Sequence, residues 1–353
     1  MRGLAILVAA ALAVAAGHAT AASARTVHLT GAFELYVASA SGDAVRRITH
    51  DGRDHHNPVW SPGGDYIAYE VHTSQGTRVE IITDDGQLVR SFDAGDAGGE
   101  PSWSSDGRAI AYIESYYNPK RSAQDGRLVV QEVFYGNERR VLARLATGRP
   151  VWGVGRNFGS IYWVRGDISP SGKTPELVPS IWSVRYDGTR RRRVVANAST
   201  PPQFSPDTKR ILFERETPDA TEIWTSKPNG DRPRLVTSAV LPFLTSWVPG
   251  GRGVWYLPQG DRPGIVVNRS GETWRLPRAA QDLMAWSSDG GLIAWQRSDR
   301  VGTIHPNGTD RRVLFNLQPA TVQGSASSVL CPSLSWAPWN GRFLLACGTD
   351  YPD

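Results

Sequence analysis

The sequence predicts an all-β fold, a seven-bladed β-propeller of four-stranded blades that occupies residues 25–353. Three observations predict it: a hairpin with an aromatic residue recurs seven times, a second hairpin with a glycine turn separates the copies, and turn residues are abundant. The 353 residues include 36 Gly, 24 Pro and 13 Trp, and 40% of them are hydrophobic. A unit of about 40–50 residues is typical of propeller blades.

The first hairpin is recognised by the aromatic residue that closes its first strand. A turn rich in Gly, Pro and Asp follows, and then a second apolar strand, as in residues 58–69 and 101–112. The seven aromatic anchors are Trp60, Trp103, Trp152, Phe204, Trp247, Trp286 and Trp336. We interpret these side chains as core residues that fill the wedge between adjacent blades.

The second hairpin turns at a glycine that usually follows Asp or Asn, a pair that favours the positive φ angles of tight turns. The seven turn glycines are Gly42, Gly86, Gly136, Gly188, Gly230, Gly271 and Gly308. The chain begins with a hairpin of this second type (34–49) and ends with one of the first type (333–347). The sequence therefore predicts that the two terminal hairpins share one blade and close the ring.

The first 24 residues have the pattern of a secretory signal peptide. Arg2 precedes the apolar stretch 4–17, and small residues allow cleavage after Ala21 or Ala24. No later stretch reaches 18 consecutive apolar residues, so we expect no membrane span. These features predict a periplasmic or secreted protein, and we expect it to be a monomer.

The repeats resemble the TolB-type, WD-related propeller repeat, whose hallmark is Pro-x-Trp-Ser-Pro-Asp-Gly before a strand. The best copies are residues 57–64 and 100–107. TolB itself carries an α/β domain before six blades. The first repeat strand here starts about ten residues after the predicted leader, and seven blades are counted. The resemblance therefore implies a TolB-like propeller without the N-terminal domain, and these departures from TolB argue against membership of a Tol–Pal complex.

The formal net charge of +5 could indicate a polyanionic partner. However, the arginines follow the second-hairpin turns, at the start of the outermost strand of each blade, as Arg46, Arg90 and Arg139 do. Charge on an edge strand deters pairing with another chain. We therefore interpret these arginines as edge protection and predict no nucleic-acid partner.

Four histidines are the candidate metal ligands. His50, His55 and His56 fall in the connector into the first blade, and His72 follows that blade's second strand. Such segments open on one face of a propeller, so these side chains could approach one another. Their spacing matches no known zinc motif, and loop histidines are commonly solvated. We therefore predict no metal site and no cofactor, while His55, His56 and His72 remain candidates for the binding face.

The loops between the second and third strands vary most, and insertions on one face of a repeat array mark its binding face. Blade two contributes Tyr116, Tyr117, Lys120 and Arg121, and blade three contributes Lys173. Gly-x-Ser-x-Gly is absent, and no catalytic constellation is recognised. The first hypothesis is a non-catalytic propeller that binds a protein or cell-envelope component through these loops. The alternative is a metal-dependent enzyme similar to oligogalacturonate lyase, another propeller of related repeats.

Cys331 and Cys347 are the only two cysteines. They precede the first strand and end the second strand of the last hairpin, where they fall nearly opposite one another. A pair of cysteines in a secreted protein is more often bonded than free. The sequence therefore predicts a disulfide bond between them.

Overall fold

The computed structural model describes residues 24–119, 123–136, 138–168, 177–239, 242–258, 262–277, 283–319, 321–322, 325–326, 328–339 and 341–350. The predicted leader, Lys120, Arg121 and Lys173 lie outside these residues. The first strands in chain order are β1 Arg25–His28, β2 Glu34–Ser39, β3 Val45–Arg47, β4 Asp54–Trp60, β5 Tyr66–Thr73, β6 Gly76–Thr83, β7 Leu88–Asp93, β8 Gly99–Trp103, β9 Ala109–Asn118, β10 Ala123–Glu132, β11 Arg139–Arg144, β12 Ala146–Trp152, β13 Ser160–Ile168, β14 Leu177–Arg185 and β15 Arg192–Ala196.

The remaining strands complete the ring. They are β16 Gln203–Phe204, β17 Ile211–Glu216, β18 Thr221–Ser226, β19 Arg234–Ala239, β20 Pro242–Trp247, β21 Gly253–Pro258, β22 Ile265–Asn268, β23 Thr273–Arg275, β24 Leu283–Trp286, β25 Ile293–Arg297, β26 Arg300–Ile304, β27 Arg312–Gln318, β28 Thr321–Val322, β29 Ser325–Ala326, β30 Ser328–Trp336 and β31 Arg342–Asp350. A single 3₁₀ turn, Gly155–Asn157, interrupts the strands in the described part of the chain. No helix there is long and apolar enough to cross a membrane.

Seven antiparallel blades form from these strands, which confirms the predicted fold. Blades one to six take four consecutive strands each, β4–β7, β8–β11, β12–β15, β16–β19, β20–β23 and β24–β27. Each of the seven predicted turn glycines has a positive φ, between 79° and 97°. Since only Gly adopts such angles at no steric cost, the turn residues set the hairpin register.

The seventh blade joins the two ends of the chain and is called the seam blade below. Its strand order is β3-β2-β31-β30, so the N-terminal hairpin supplies the two outer strands and the C-terminal hairpin the two inner ones. The register places Glu34 opposite Cys347 and Ser39 opposite Arg342. The predicted closure of the ring is therefore confirmed.

The N-terminus closes the ring at a second place that the sequence did not predict. Strand β1 pairs in parallel with β27 and becomes a fifth, outermost strand of blade six. The residue after β1, Leu29, is buried in the cluster between blade six and the seam blade. Strand β1 itself is mostly exposed, which is why no apolar pattern indicated it.

The core is divided among the gaps between blades. The described residues contain seven buried apolar clusters, and each lies between two neighbouring blades. Four anchor indoles also bond across these gaps: Trp103, Trp152, Trp247 and Trp336 donate Nε1–H to the carbonyl oxygen of the residue before the preceding blade's anchor, at 2.8–3.3 Å. The repeated aromatic residue therefore sets both packing and alignment of adjacent blades.

Arginines of the outermost strands have a contact that the edge-protection interpretation did not include. Arg46 and Arg90 donate to carbonyl oxygens in the third-to-fourth turn of the following blade, those of Asp84 and Val133, at 2.9 Å. Arg192 reaches Asn229 in the same way at 3.3 Å. These side chains therefore link the rims of successive blades.

The predicted disulfide between Cys331 and Cys347 is confirmed, with their Cα atoms 4.2 Å apart. Both cysteines are buried in the cluster that joins blade six to the seam blade. A register shift between Leu330 and Ser333 lets Cys331 face Cys347. The bond therefore holds together the two inner strands of the blade that closes the ring.

Candidate functional site

The loops between second and third strands and the connectors between blades open on one face, called the 2–3 face below. A cavity of about 530 Å³ lies there between blades one, two and three. Its lining includes Glu70, His72, Asp96, Glu100 and Gly148. This cavity at the mouth of the central channel is the candidate functional site.

The same repeat position supplies the side chains at the channel in every blade, three residues before the anchor. In blades one to three it is Asn57, Glu100 and Arg149, each followed by proline. Proline has no N–H to donate, so the innermost strand forms a bulge there, and bulges redirect side chains. The register between the first and second strands shifts at this position in all three blades.

The remaining blades place less polar groups at the equivalent position. They are Pro201, Leu244, Leu283 and Ser333, and all seven residues at this position are half-buried. At the opposite end of the channel, a cavity of about 550 Å³ is lined by Trp247, Trp286 and Trp336. The charged residues at this repeat position, Glu100 and Arg149, therefore belong to the neighbouring blades two and three.

Glu70 is fixed at this mouth by neighbours from two blades. Asn57 donates Nδ2–H to Oε1 at 2.8 Å, and the backbone N–H of Glu100 donates to Oε2 at 2.7 Å. A Cβ on Gly99 would lie 2.0 Å from Oε2, so only glycine permits this approach. Asn57 and Glu100 both have positive φ, at 50° and 55°, a strain that is concentrated at functional sites.

Glu100 and Arg149 face the channel without a bonded partner. Among the described residues, neither side chain forms a hydrogen bond or an ion pair within 4.0 Å, although each influences the other's charge. Burial raises the pKa of the Glu100 carboxyl, with Arg149 opposing the shift, and burial lowers the pKa of Arg149. Unpaired charge in a cavity is available to a ligand.

The histidines occupy two different environments. His56 and His72 lie together at the mouth, with ring centroids 4.8 Å apart, and burial followed by repulsion from His72 lowers the pKa of His56. His55 is fully buried on the other side of β4. The structure corrects the assignment of His55 and His56 to a connector, because the bulge at Asn57 lets β4 continue back to Asp54.

The two tyrosines predicted to bind a partner point to opposite sides of a projecting ribbon formed by β9 and β10. Tyr117 is 55% exposed, and its backbone N–H donates to Asp96 Oδ2 at 2.7 Å. Tyr116 is half-buried, with the Arg127 guanidinium 5.5 Å from its ring centroid. Adjacent strand residues alternate in direction, so Tyr117 alone is presented beside the cavity.

Replacing Glu100 by Gln tests the charge at the mouth. Because the folded-state pKa of Glu100 is raised, its ionised form lowers stability above that pKa, and the penalty disappears as the pH falls through it. We expect E100Q to raise the melting temperature at pH 7–8 by the equivalent of about 1 kcal/mol or less, and this difference to vanish near pH 4. Differential scanning calorimetry across this range measures it. The matched control is D219N, which removes a carboxylate from an exposed loop of blade four. A constant difference for E100Q would contradict the argument.

Comparison with known proteins identifies the fold. No protein-family model matches the sequence. No curated protein matches it either. Oligogalacturonate lyase from Vibrio parahaemolyticus superposes with a TM-score of 0.60 at 12% identity, covering 89% of this chain and 97% of the lyase. An oligogalacturonate lyase in complex with manganese gives 0.59 at 15%, covering 91% and 96%.

A protein assigned as TolB in Agrobacterium tumefaciens superposes with a TM-score of 0.50 at 16% identity, covering 92% of this chain and all of that one. The predicted resemblance to TolB-like propellers is thus confirmed for the fold. At these identities the likeness concerns the fold, and neither substrate nor partner transfers from the matched proteins.

Proposed function

We propose that this protein is a non-catalytic, extracytoplasmic propeller that binds a protein or cell-envelope component through the 2–3 face. The observation that carries the proposal is the pair of unpaired charges, Glu100 and Arg149. Glu100 lines the cavity of about 530 Å³, and Arg149 directly follows the lining residue Gly148. A ligand that offers an ammonium group to Glu100 and an anionic group to Arg149 would satisfy both. The cost of burying them unpaired is then recovered on binding.

Tyr117 adds an exposed aromatic side chain beside this site. Exposed tyrosines beside charged groups are frequent energetic centres of protein interfaces. The ribbon of β9 and β10 carries Tyr117 away from the blade, next to Asp96 of the cavity lining. The disulfide between Cys331 and Cys347 supports an oxidising, extracytoplasmic location.

The test compares two tyrosines at opposite ends of the ribbon formed by β9 and β10. Biotinylated mature protein is incubated with detergent-solubilised envelope from the source cells, and the captured component is purified and titrated by surface plasmon resonance. We expect Y117A to weaken binding about 30-fold, the equivalent of about 2 kcal/mol, because an anchoring aromatic side chain is removed. The melting temperature should stay unchanged.

The control variant is Y135A. Tyr135 is 72% exposed and follows β10 at its other end, in a turn on the opposite face. Equal affinity of Y117A and wild type, or a greater loss in Y135A, would move the binding surface away from the 2–3 face. Cleavage of oligogalacturonate with added Mn²⁺, abolished in E100Q, would replace the binding proposal with the alternative lyase function.

A further inference from the structure

A second cluster of ionisable groups lies between the seam blade and blade one, away from the channel mouth. Glu34 begins β2, Asp51 lies in the connector that follows the seam blade, and His55 is the second residue of β4. One potential ligand atom from each lies within 4.8 Å of the others. Glu34 and His55 are buried, whereas the Asp51 side chain is 40% exposed, so the cluster opens to solvent on one side.

The imidazole of His55 is oriented as a metal ligand. Its Nδ1 lies 2.9 Å from the carbonyl oxygen of Phe33, and because a carbonyl only accepts, Nδ1 carries the hydrogen. In the neutral tautomer Nε2 then presents a lone pair. This nitrogen is buried, has no hydrogen-bond partner among the described residues, and lies 3.3 Å from Asp51 Oδ1. Metal-bound histidines commonly donate their other nitrogen to a carbonyl in this way.

Both carboxylates are held in place by hydrogen-bond donors, and Glu34 Oε2 lies 3.8 Å from His55 Nδ1. Thr49 Oγ1 donates to Glu34 Oε2, and the backbone N–H of Gly52 approaches Oε1 at 3.3 Å. The Arg53 guanidinium donates twice to Asp51 Oδ2, at 2.6 and 2.8 Å, while Oδ1 faces His55. The 3.3 Å between Oδ1 and Nε2 is close to the spacing of two ligands about 2.0–2.2 Å from a tetrahedral Zn²⁺ ion.

Around the cluster, carboxylates outnumber guanidinium groups by two. Arg53 also pairs with the buried Glu80, at 3.0 Å, so one guanidinium serves the carboxylates of Asp51 and Glu80. With Glu34 included, three carboxylates face one guanidinium, and a divalent cation would neutralise the excess.

We propose that Glu34, Asp51 and His55 bind one divalent transition-metal ion of the Zn²⁺ or Mn²⁺ type. One imidazole nitrogen with two carboxylates suits these ions, whereas Ca²⁺ takes oxygen ligands and thiophilic ions take sulfur. The ligands come from the seam blade, its connector and blade one. The ion therefore fastens the N-terminal hairpin to the first complete blade, a structural role independent of binding at the 2–3 face.

The experiment titrates EDTA-treated mature protein with Zn²⁺, Mn²⁺ and Ca²⁺ by isothermal calorimetry, with melting temperature as a second measurement. We expect one equivalent of Zn²⁺ or Mn²⁺ to bind and to raise the melting temperature, because a ligand of the folded state stabilises it. Asp51 is exposed, so D51N should fold without metal as wild type does, yet lose the binding. The control H72A removes an exposed histidine outside the cluster and should bind normally.

Three results would overturn the proposal. They are absence of Zn²⁺ and Mn²⁺ binding at 100 µM, a preference for Ca²⁺, and equal binding by D51N and wild type. Should D51N melt below metal-free wild type, E34Q replaces it, with the same loss of binding expected.

Discussion

Deleting residues 25–50 is expected to abolish cooperative folding. The deletion removes β1, β2 and β3, and with them Leu35, Tyr36, Val37 and Ala38, all buried in the clusters on either side of the seam blade. Burying a large apolar side chain contributes about 1.5–3 kcal/mol, so the loss approaches the about 5–15 kcal/mol that separates folded from unfolded domains. The bare edge of β31 would also invite aggregation.

Circular dichroism and size-exclusion chromatography measure this result. The matched control removes only residues 25–28, that is strand β1, and keeps Leu29. Three of these four residues are exposed, so the control should remain monomeric and melt within a few degrees of wild type. A truncated protein without residues 25–50 that kept the wild-type melting temperature would show that six blades close without the seam.

Breaking the disulfide is expected to destabilise the protein by about 3 kcal/mol, because the bond closes a loop of about 15 residues in the unfolded chain. For a domain of this size that corresponds to a melting temperature lower by about 4 °C. The double variant C331A/C347A is preferred, since both cysteines are buried and alanine adds no hydroxyl group to the core.

Reduction provides the control for the alanine substitutions. Dithiothreitol should lower the melting temperature of wild type to near that of C331A/C347A and leave the variant unchanged. Intact-mass analysis after alkylation should add no alkyl group to the unreduced protein and two after reduction. Two groups added before reduction would show that the cysteines are free in the purified protein.

Aligning the repeats predicts which residues share a position at the channel but not which of them are in contact. Aligning the seven anchors is enough to bring Asn57, Glu100 and Arg149 to one position, and this signal was present in the sequence. The alignment does not show that Glu70, from a second strand, lies between two of them. That contact depends on the bulges before proline and on the close approach at Gly99, which are decided when blades pack.

The composition of a predicted loop did not show which of the two tyrosines is presented to a partner. Tyr116 and Tyr117 were predicted together because both fall in a variable segment between two strands. In the structure that segment is itself strand, since β9 runs to Asn118, and alternation turns one ring toward the blade. Had the strand been predicted to run through both tyrosines, the alternation of side chains would have placed them on opposite sides of it.

The sequence by itself determined the seven blades, the shared seam blade and the disulfide. Each follows from patterns within a few tens of residues, because a blade is built from local hairpins and packs only on its neighbours. The tertiary structure alone decided the pairing of β1 with β27 and the meeting of Glu34 with His55. The pairing of β1 with β27 joins the two ends of the chain and forms only when the ring closes. Glu34 and His55 are close in the chain but carry no shared local pattern, and they meet because the seam blade packs against blade one.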